Sequence, residues 1–343
     1  MSTKDETTNL IRRRCLLMGS VAATVAAPAI VQAQNLAQGG DWPGNSPRGG
    51  PMKFIVPFPP GGSTDPVARL IQARITETTG WQIVVENKPG AAGMVGAAVA
   101  AKSPPDGQTW LVAFDSHILI APFAGASMPY KDSDLLNVML VGRAPLAIAC
   151  HPDRPYRTFA DAIADARKRP GKPSVGVLTA SQALLLITHL RKENDFDVNV
   201  IFYKGGAPTV QDLLAGVIDM ALTTLAPLDP HIRSGKLRAL ATTGEMRPPL
   251  LPDVPTLGEQ GVKGYPTYSW WGIYAPAGTP RPIVERMNGE IAKALRSPEV
   301  APKLATQIGM EILATSPEAF VEFQKVEQER WTRIIRENGI KAD

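Results

Sequence analysis

Cysteine is nearly absent from the 343 residues: there are two, Cys15 and Cys150. Cys15 falls in an N-terminal segment that reads as a removable leader. Cys150 is then alone, which excludes an internal disulfide in the processed chain. A lone thiol in Ala147-Ile148-Ala149-Cys150 behaves as a small hydrophobe. A catalytic thiol would need a base, and His151, its neighbour in an extended stretch, faces the other side of a strand. Aromatics are scarce at 6%, so there is no platform for stacking bases. The four histidines, His117, His151, His189 and His231, are far apart and lack the spacing of a metal site. Also missing are a phosphate loop, a G-x-S-x-G elbow and an isolated carboxylate pair of the glycosidase kind. No enzyme class has a motif to stand on.

Long apolar runs are missing too. The longest candidate, Val21 to Val31, is shorter than the ~20 residues of a membrane span. It follows Arg12-Arg13-Arg14 and ends at Val31-Gln32-Ala33, a small-x-small site that a signal peptidase could cut. Arg13-Arg14-Cys15-Leu16-Leu17 fits the twin-arginine export pattern. We therefore expect residues 1–33 to be an export signal and 34–51 a flexible lead-in. Losing Lys4, Arg12, Arg13 and Arg14 with Asp5 and Glu6 lowers the net charge from +4 to +2. No block of Lys and Arg then remains, which argues against a nucleic-acid partner.

What is present is an ordinary globular mixture, 44% hydrophobic and 20% charged, long enough for about two domains. Phe54 to Phe58 reads as a buried strand ended by Pro59-Pro60-Gly61-Gly62. Ser63, Thr64 and Asp65 offer N-caps, and Pro66 suits a first helical position. Val67, Leu70, Ile71 and Ile75 share one helical face, and Gly80 stops that helix. Strand 83–85, helix 94–101 and strand 109–114 follow, which predicts a parallel sheet. From Thr158, a cap for helix 159–168, the rhythm repeats. Strands 174–178, 198–203, 220–223 and 237–242 alternate with helices 181–192 and 208–215. Strand 270–275, helix 282–295, strand 310–314 and a closing helix from Pro317 to about Asn338 complete the order. Phe320, Phe323, Trp331, Ile334 and Ile335 give that last helix a stripe for packing.

The strongest local signal is Phe58-Pro59-Pro60-Gly61-Gly62-Ser63-Thr64-Asp65. A helix N-terminus carries unpaired N–H donors and about half a positive charge, so this turn suits an anion. It equally suits a plain turn whose hydroxyls cap the helix. Asn87-Lys88-Pro89-Gly90-Ala91-Ala92-Gly93 repeats the pattern, but it lacks a G-x-G pair and follows the second strand, which argues against a dinucleotide cofactor. No cofactor is expected.

An ordered series of such segments resembles the receptors of tripartite tricarboxylate transporters, the Bug-type solute-binding proteins. It runs from Phe54-Ile55-Val56-Pro57-Phe58 through Asp65, then Val85-Glu86-Asn87-Lys88-Pro89-Gly90-Ala91 and Pro105-Asp106-Gly107. Tyr203-Lys204-Gly205, Pro230 to Leu240, Leu251-Pro252-Asp253-Val254-Pro255-Thr256 and Ala275-Pro276-Ala277-Gly278-Thr279-Pro280 continue it. The resemblance implies an α/β Venus flytrap in which each lobe is a mostly parallel sheet flanked by helices. Lobe one would hold 52–150 and 268–343, and lobe two 151–267. It further implies a periplasmic, monomeric receptor, not an enzyme. Such a receptor passes a small carboxylate, a dicarboxylate or an aromatic one, to integral-membrane transporter subunits.

Carried onto this chain, the ligand contacts would come from Phe58, Gly62, Ser63, Thr64, Asp65, Ala91, Thr179, Ser181, Gln182, Lys204, Gly205, Thr223 and Thr224. To these we add Phe114, Asp115, Ser116 and His117, where the family usually has small polar residues. The bulk of Phe114 would suit a larger or aromatic carboxylate. Thr223 stands where the family often has Asp, which favours a ligand without an amino group. Whether Tyr203, Trp270 or Trp271 reaches the ligand stays open. Two other readings remain: an exported enzyme using Asp115 and His117, and a partner that presents ligand to a membrane sensor.

Overall fold

The computed structural model describes residues 50–115, 128–179, 181–264 and 266–338. The expected signal and most of the lead-in, like Ser116 and His117, lie outside these residues. Strand β1 (Met52–Val56) pairs in parallel with both β2 (Ile83–Asn87) and β3 (Thr109–Phe114). Four of its five residues are buried, as a strand covered on both faces requires. It begins and ends two residues earlier than the apolar run suggests, because Pro57 has no N–H to extend the ladder.

The turn after β1 leads into α1 (Thr64–Thr79), which buries Val67, Ala68, Ile71 and Ile75. Gly80, at φ 74°, closes the helix in the left-handed region, its N–H donating to Thr76. Pro66 is the third helical residue rather than the first, and the Ser63 side chain makes no capping bond. Helix α2 (Met94–Ala101) lies close over the sheet because Gly96 has no side chain. A Cβ there would meet Pro57 Cα at 2.8 Å.

Beyond β3 the parallel pattern stops. Strand β9 (Tyr268–Pro276) pairs antiparallel with β3, and β4 (Leu135–Cys150) pairs antiparallel with β9. Strand β4 was not among the expected elements. Its sixteen residues are buried almost throughout, so no alternation betrays a strand. Its first part belongs to this sheet, with the short β10 (Glu311–Ile312) beside it. Its last part, Leu146 to Cys150, pairs antiparallel with β7 (Met220–Thr224) and β8 (Arg238–Thr242). One strand thus serves both sheets.

In the second sheet β5 (Ser174–Leu178) lies parallel to β7 and to β6 (Asn199–Tyr203). Helix α3 (Phe159–Lys168) starts at Thr158 with a reciprocal capping box to Asp161. Helices α4 (Gln182–Glu193), α5 (Gly206–Leu214) and α6 (Leu225–Arg233) follow β5, β6 and β7. Helix α6 was not among the expected elements, and it contains Pro227 and Pro230, a residue type that usually interrupts a helix. Pro227, however, falls in the first turn, where an N–H has no helical partner. Helix α7 (Arg281–Leu295), a short helical stretch over 301–308, and α8 (Pro317–Asn338) return to the first sheet. There Trp270, Tyr274, Phe320 and Trp331 share one core, while Phe159, Val177, Leu186 and Leu222 anchor that of the second sheet. No described helix is long and apolar enough to cross a membrane.

Candidate functional site

The C-terminal ends of the parallel strands of both sheets open onto one cavity of about 120 Å³. An open α/β sheet places its ligand crevice at such strand ends. Here the N-termini of four helices meet at the cavity wall. Helix α1 contributes Gly62, Ser63 and Thr64, and α4 contributes Ser181 and Ala183. Helix α5 contributes Gly205, Gly206 and Ala207, and α6 contributes Thr224 with Thr223 before it. The first N–H groups of a helix have no internal acceptor, so the cavity is rich in aimed donors. Thr224 precedes α6 without capping it, which leaves its hydroxyl to face the cavity.

Apart from Lys204 and Ser269, the rest of the wall is apolar: Phe58, Pro59, Pro60, Phe114, Leu146, Leu178, Pro208 and Pro227. Phe114 meets Phe58 edge to face at 5.9 Å and Trp271 at 5.3 Å. These rings hold one another in place, and the Phe114 ring forms part of the wall. Among the described lining residues the only charged side chain is Lys204, which is exposed, and none is a carboxylate. An anion here meets amides and hydroxyls rather than an arginine fork.

Several expected contacts are not part of the wall. Asp65 is buried behind the α1 turn, where its carboxylate accepts from Asn87 Nδ2 at 3.0 Å and Arg69 Nε at 2.9 Å. The same Asn87 amide donates to the Phe58 carbonyl at 3.0 Å, so Asp65 and Asn87 brace the turn from outside. Ala91 is exposed in a left-handed conformation, φ 46°. Thr179 donates to the Tyr203 carbonyl. Gln182 is buried against Glu327. Tyr203 donates to Asp212, and Trp270 packs between Phe320 and Phe323, so neither lines the cavity. Trp271 stands behind Phe114. Conversely, Ser269 on β9 and Leu146 on β4 do line it. No local motif marks them, since both belong to long strands that pass beneath the cavity.

Asp115 is fully buried at the end of β3. Among the described residues, neither carboxylate oxygen has a partner at full hydrogen-bond geometry. Burial pushes its pKa well above the usual carboxylate range; the nearby Ser269 hydroxyl and Trp270 N–H oppose this, and Glu327 adds to it. A carboxyl this buried and outside the cavity wall is poorly placed to act on a ligand there, which weakens the enzymatic reading. Cys150 is buried as well, its thiol pushed up to about 11. Because the folded state holds the Asp115 proton more tightly than the unfolded chain, the part of its burial cost that depends on ionisation is nil below the unfolded pKa and grows as pH rises toward the folded one. Relative to the wild type, Asp115→Asn is therefore expected to gain stability progressively from pH 4 to pH 8. A constant margin in calorimetry would contradict this.

The family model for tripartite tricarboxylate transporter family receptors matches residues 67–340. Protein BugT of Bordetella pertussis (strain Tohama I) is 37% identical over 298 residues, covering 85% of this chain and 90% of that protein. The solved structure of R. palustris Rpa4515 with adipate is 32% identical with a TM-score of 0.82, covering 88% of this chain and 99% of that one. MatC (Rpa3494) from Rhodopseudomonas palustris with bound malate is 27% identical with a TM-score of 0.77, covering 83% and 98%.

Proposed function

This chain belongs to the tripartite tricarboxylate transporter receptor family, and from that premise we propose that it captures a carboxylate with an apolar, aromatic or long aliphatic body. It is a solute-binding receptor for small carboxylates on a two-lobed α/β scaffold. The observation that carries the finer reading is the wall itself: four helix N-termini and an apolar surface around one small cavity. A carboxylate accepts from the amides, and the body lies against Phe58, Phe114 and Leu146. No described wall residue is a carboxylate, which favours a ligand without an amine.

In this reading residues 52–150 with 268–343 form lobe one and 151–267 form lobe two. The ligand, touching both, favours the closed arrangement. Residues 1–33 direct export to the periplasm, where the protein acts as a monomer and delivers its ligand to the membrane subunits of the transporter. Micromolar affinity, about −8 kcal/mol, is within reach of a few charge-assisted bonds and partial desolvation.

Thermal unfolding of the chain from Gln34 onward against a compound panel tests this. A ligand at 100 times its Kd adds ~2.7 kcal/mol of stability, a shift of several degrees. Adipate and benzoate are expected to shift the midpoint more than malate or citrate, and to be recovered unchanged. A larger shift with malate or citrate would overturn the apolar-body reading. Consumption of a compound would overturn the receptor reading.

A further inference from the structure

Beneath the cavity wall, α4 and α8 meet through buried polar groups that are not part of the wall. Gln182, the first residue of α4, is 1% exposed and donates to Glu327 Oε2 at 3.4 Å. Glu327, on α8, is 6% exposed. The same oxygen accepts from Trp331 Nε1 at 2.8 Å, and the other carboxylate oxygen pairs with Arg330 at 3.1 Å. Three residues further along α4, Leu185 is fully buried in the core of the first sheet beside Trp270 and Trp331. Ser181 and Ala183, on either side of Gln182, line the cavity. One turn of helix thus presents two residues to the ligand space and two to α8.

A carboxylate so buried costs several kcal/mol unless its acceptors are filled. Here the donors come from both sides of the molecule. A negative charge beside the first turn of α4 is also placed well for that helix's dipole. The Trp331 and Arg330 contacts lie within α8 itself, so they would hold Glu327 whether or not α4 were present. The Gln182 amide instead ties Glu327 to a helix of the other sheet.

We propose that Glu327, from outside the cavity, is a positioning residue that holds the N-terminus of α4 against the ligand through Gln182. The ligand side of this rests on the receptor reading above; the coupling of the two helices does not. The amides that report it are Leu184, which donates to Ser181 Oγ at 3.3 Å, and Leu185, which donates to the Ser181 carbonyl at 3.2 Å.

Hydrogen exchange of the ligand-free protein, read by mass spectrometry, tests it with Gln182→Ala, Glu327→Met, which has the length but no oxygen acceptor, and the double variant. Exchange over residues 184–186 is expected to speed about 10-fold in each single variant, and no further in the double. The melting midpoint should stay within about 2 °C of the wild type, and residues 189–192 should exchange as before. Unchanged exchange over 184–186, or a double variant that multiplies the two single effects, would overturn the coupling. A midpoint that falls together with global exchange would reduce Glu327 to a fold-stabilising group and overturn it too. With adipate as probe, dissociation should speed about 10-fold at constant association. If adipate fails to bind even the wild type, the receptor reading above loses its aliphatic arm, while the exchange result still decides the coupling.

Discussion

Thr223→Asp is expected to weaken the binding of adipate or benzoate roughly 100- to 200-fold while leaving the protein folded. Thr223 is 3% exposed, lies at the end of β7 and belongs to the cavity wall between the α5 and α6 N-termini. Its hydroxyl sits 3.4 Å from where a Cβ on Gly206 would be, so it is packed against the α5 start. A carboxylate there would face the ligand carboxylate across a few ångströms. Two like charges ~5 Å apart at an effective dielectric of ~20 repel by about 3 kcal/mol. At 1.4 kcal/mol per tenfold, that is the stated loss. Screening by salt does little for charges this buried. Thr223→Asn supplies the control, because it has the shape without the charge and should lose no more than about tenfold. Titration calorimetry of the three proteins decides it. Equal affinities for the aspartate and asparagine variants would mean that the ligand carboxylate docks elsewhere, at the α1 end of the cavity.

The largest loss of stability is expected from Gly272→Ala. Gly272 lies in the middle of β9, between Ala113 of β3 and Leu140 of β4. A Cβ there would come within 2.4 Å of Phe320 Cζ, 2.8 Å of its Cε1 and 3.2 Å of Tyr274 Cε2. Phe320 has nowhere to go, being fully buried, edge-on to Trp270 at 5.7 Å and tilted on Tyr274 at 5.0 Å. Overpacking of a dense core costs about 1–3 kcal/mol, and a contact this short on a ring locked from two sides belongs at the upper end. For a chain of this size the midpoint should fall by roughly 6 °C. Phe320→Leu in the same background should recover more than half of that. Gly289→Ala in α7 is the counter-case: nothing lies within 4 Å of its Cβ position. There, ordinary helix propensity predicts a gain of roughly 0.5–1 kcal/mol. A Gly272→Ala protein that melts with the wild type would mean that α8 can slide on the sheet.

Elements whose residues carry a periodic face or a cap are legible in the amino-acid sequence alone. Helix α3 begins at Thr158, the expected cap, and α1 stops at Gly80. Strand β4 was opaque because it is buried on both faces, and α6 because two prolines sit inside it. At the site, glycine and hydroxyl turns marked the parts of the cavity that lie at helix starts. They could not distinguish residues that face the ligand from those that hold the turn. Asp65 and Asn87 show why: the same carboxylate that suits an N-terminus also suits an arginine and an amide behind it. Ser269 and Leu146 were invisible because their place depends on which strand lies beside which, a long-range outcome of pairing.

The strand order has a consequence for how the protein is made. Strand β3 is buried along its whole length, yet its neighbour β9 comes from the far side of the entire second sheet. As the chain leaves a ribosome, β5, β6, β7 and β8 are all present before β9 is synthesised. The portion that is contiguous in sequence can therefore mature first, while the earlier-made strands wait with an apolar edge unpaired. Contacts so distant along the chain are slow to form and leave sticky surface open meanwhile. For an interval set by translation rate, the first-born part of this receptor is its least finished, and a holdase binding there would serve it best.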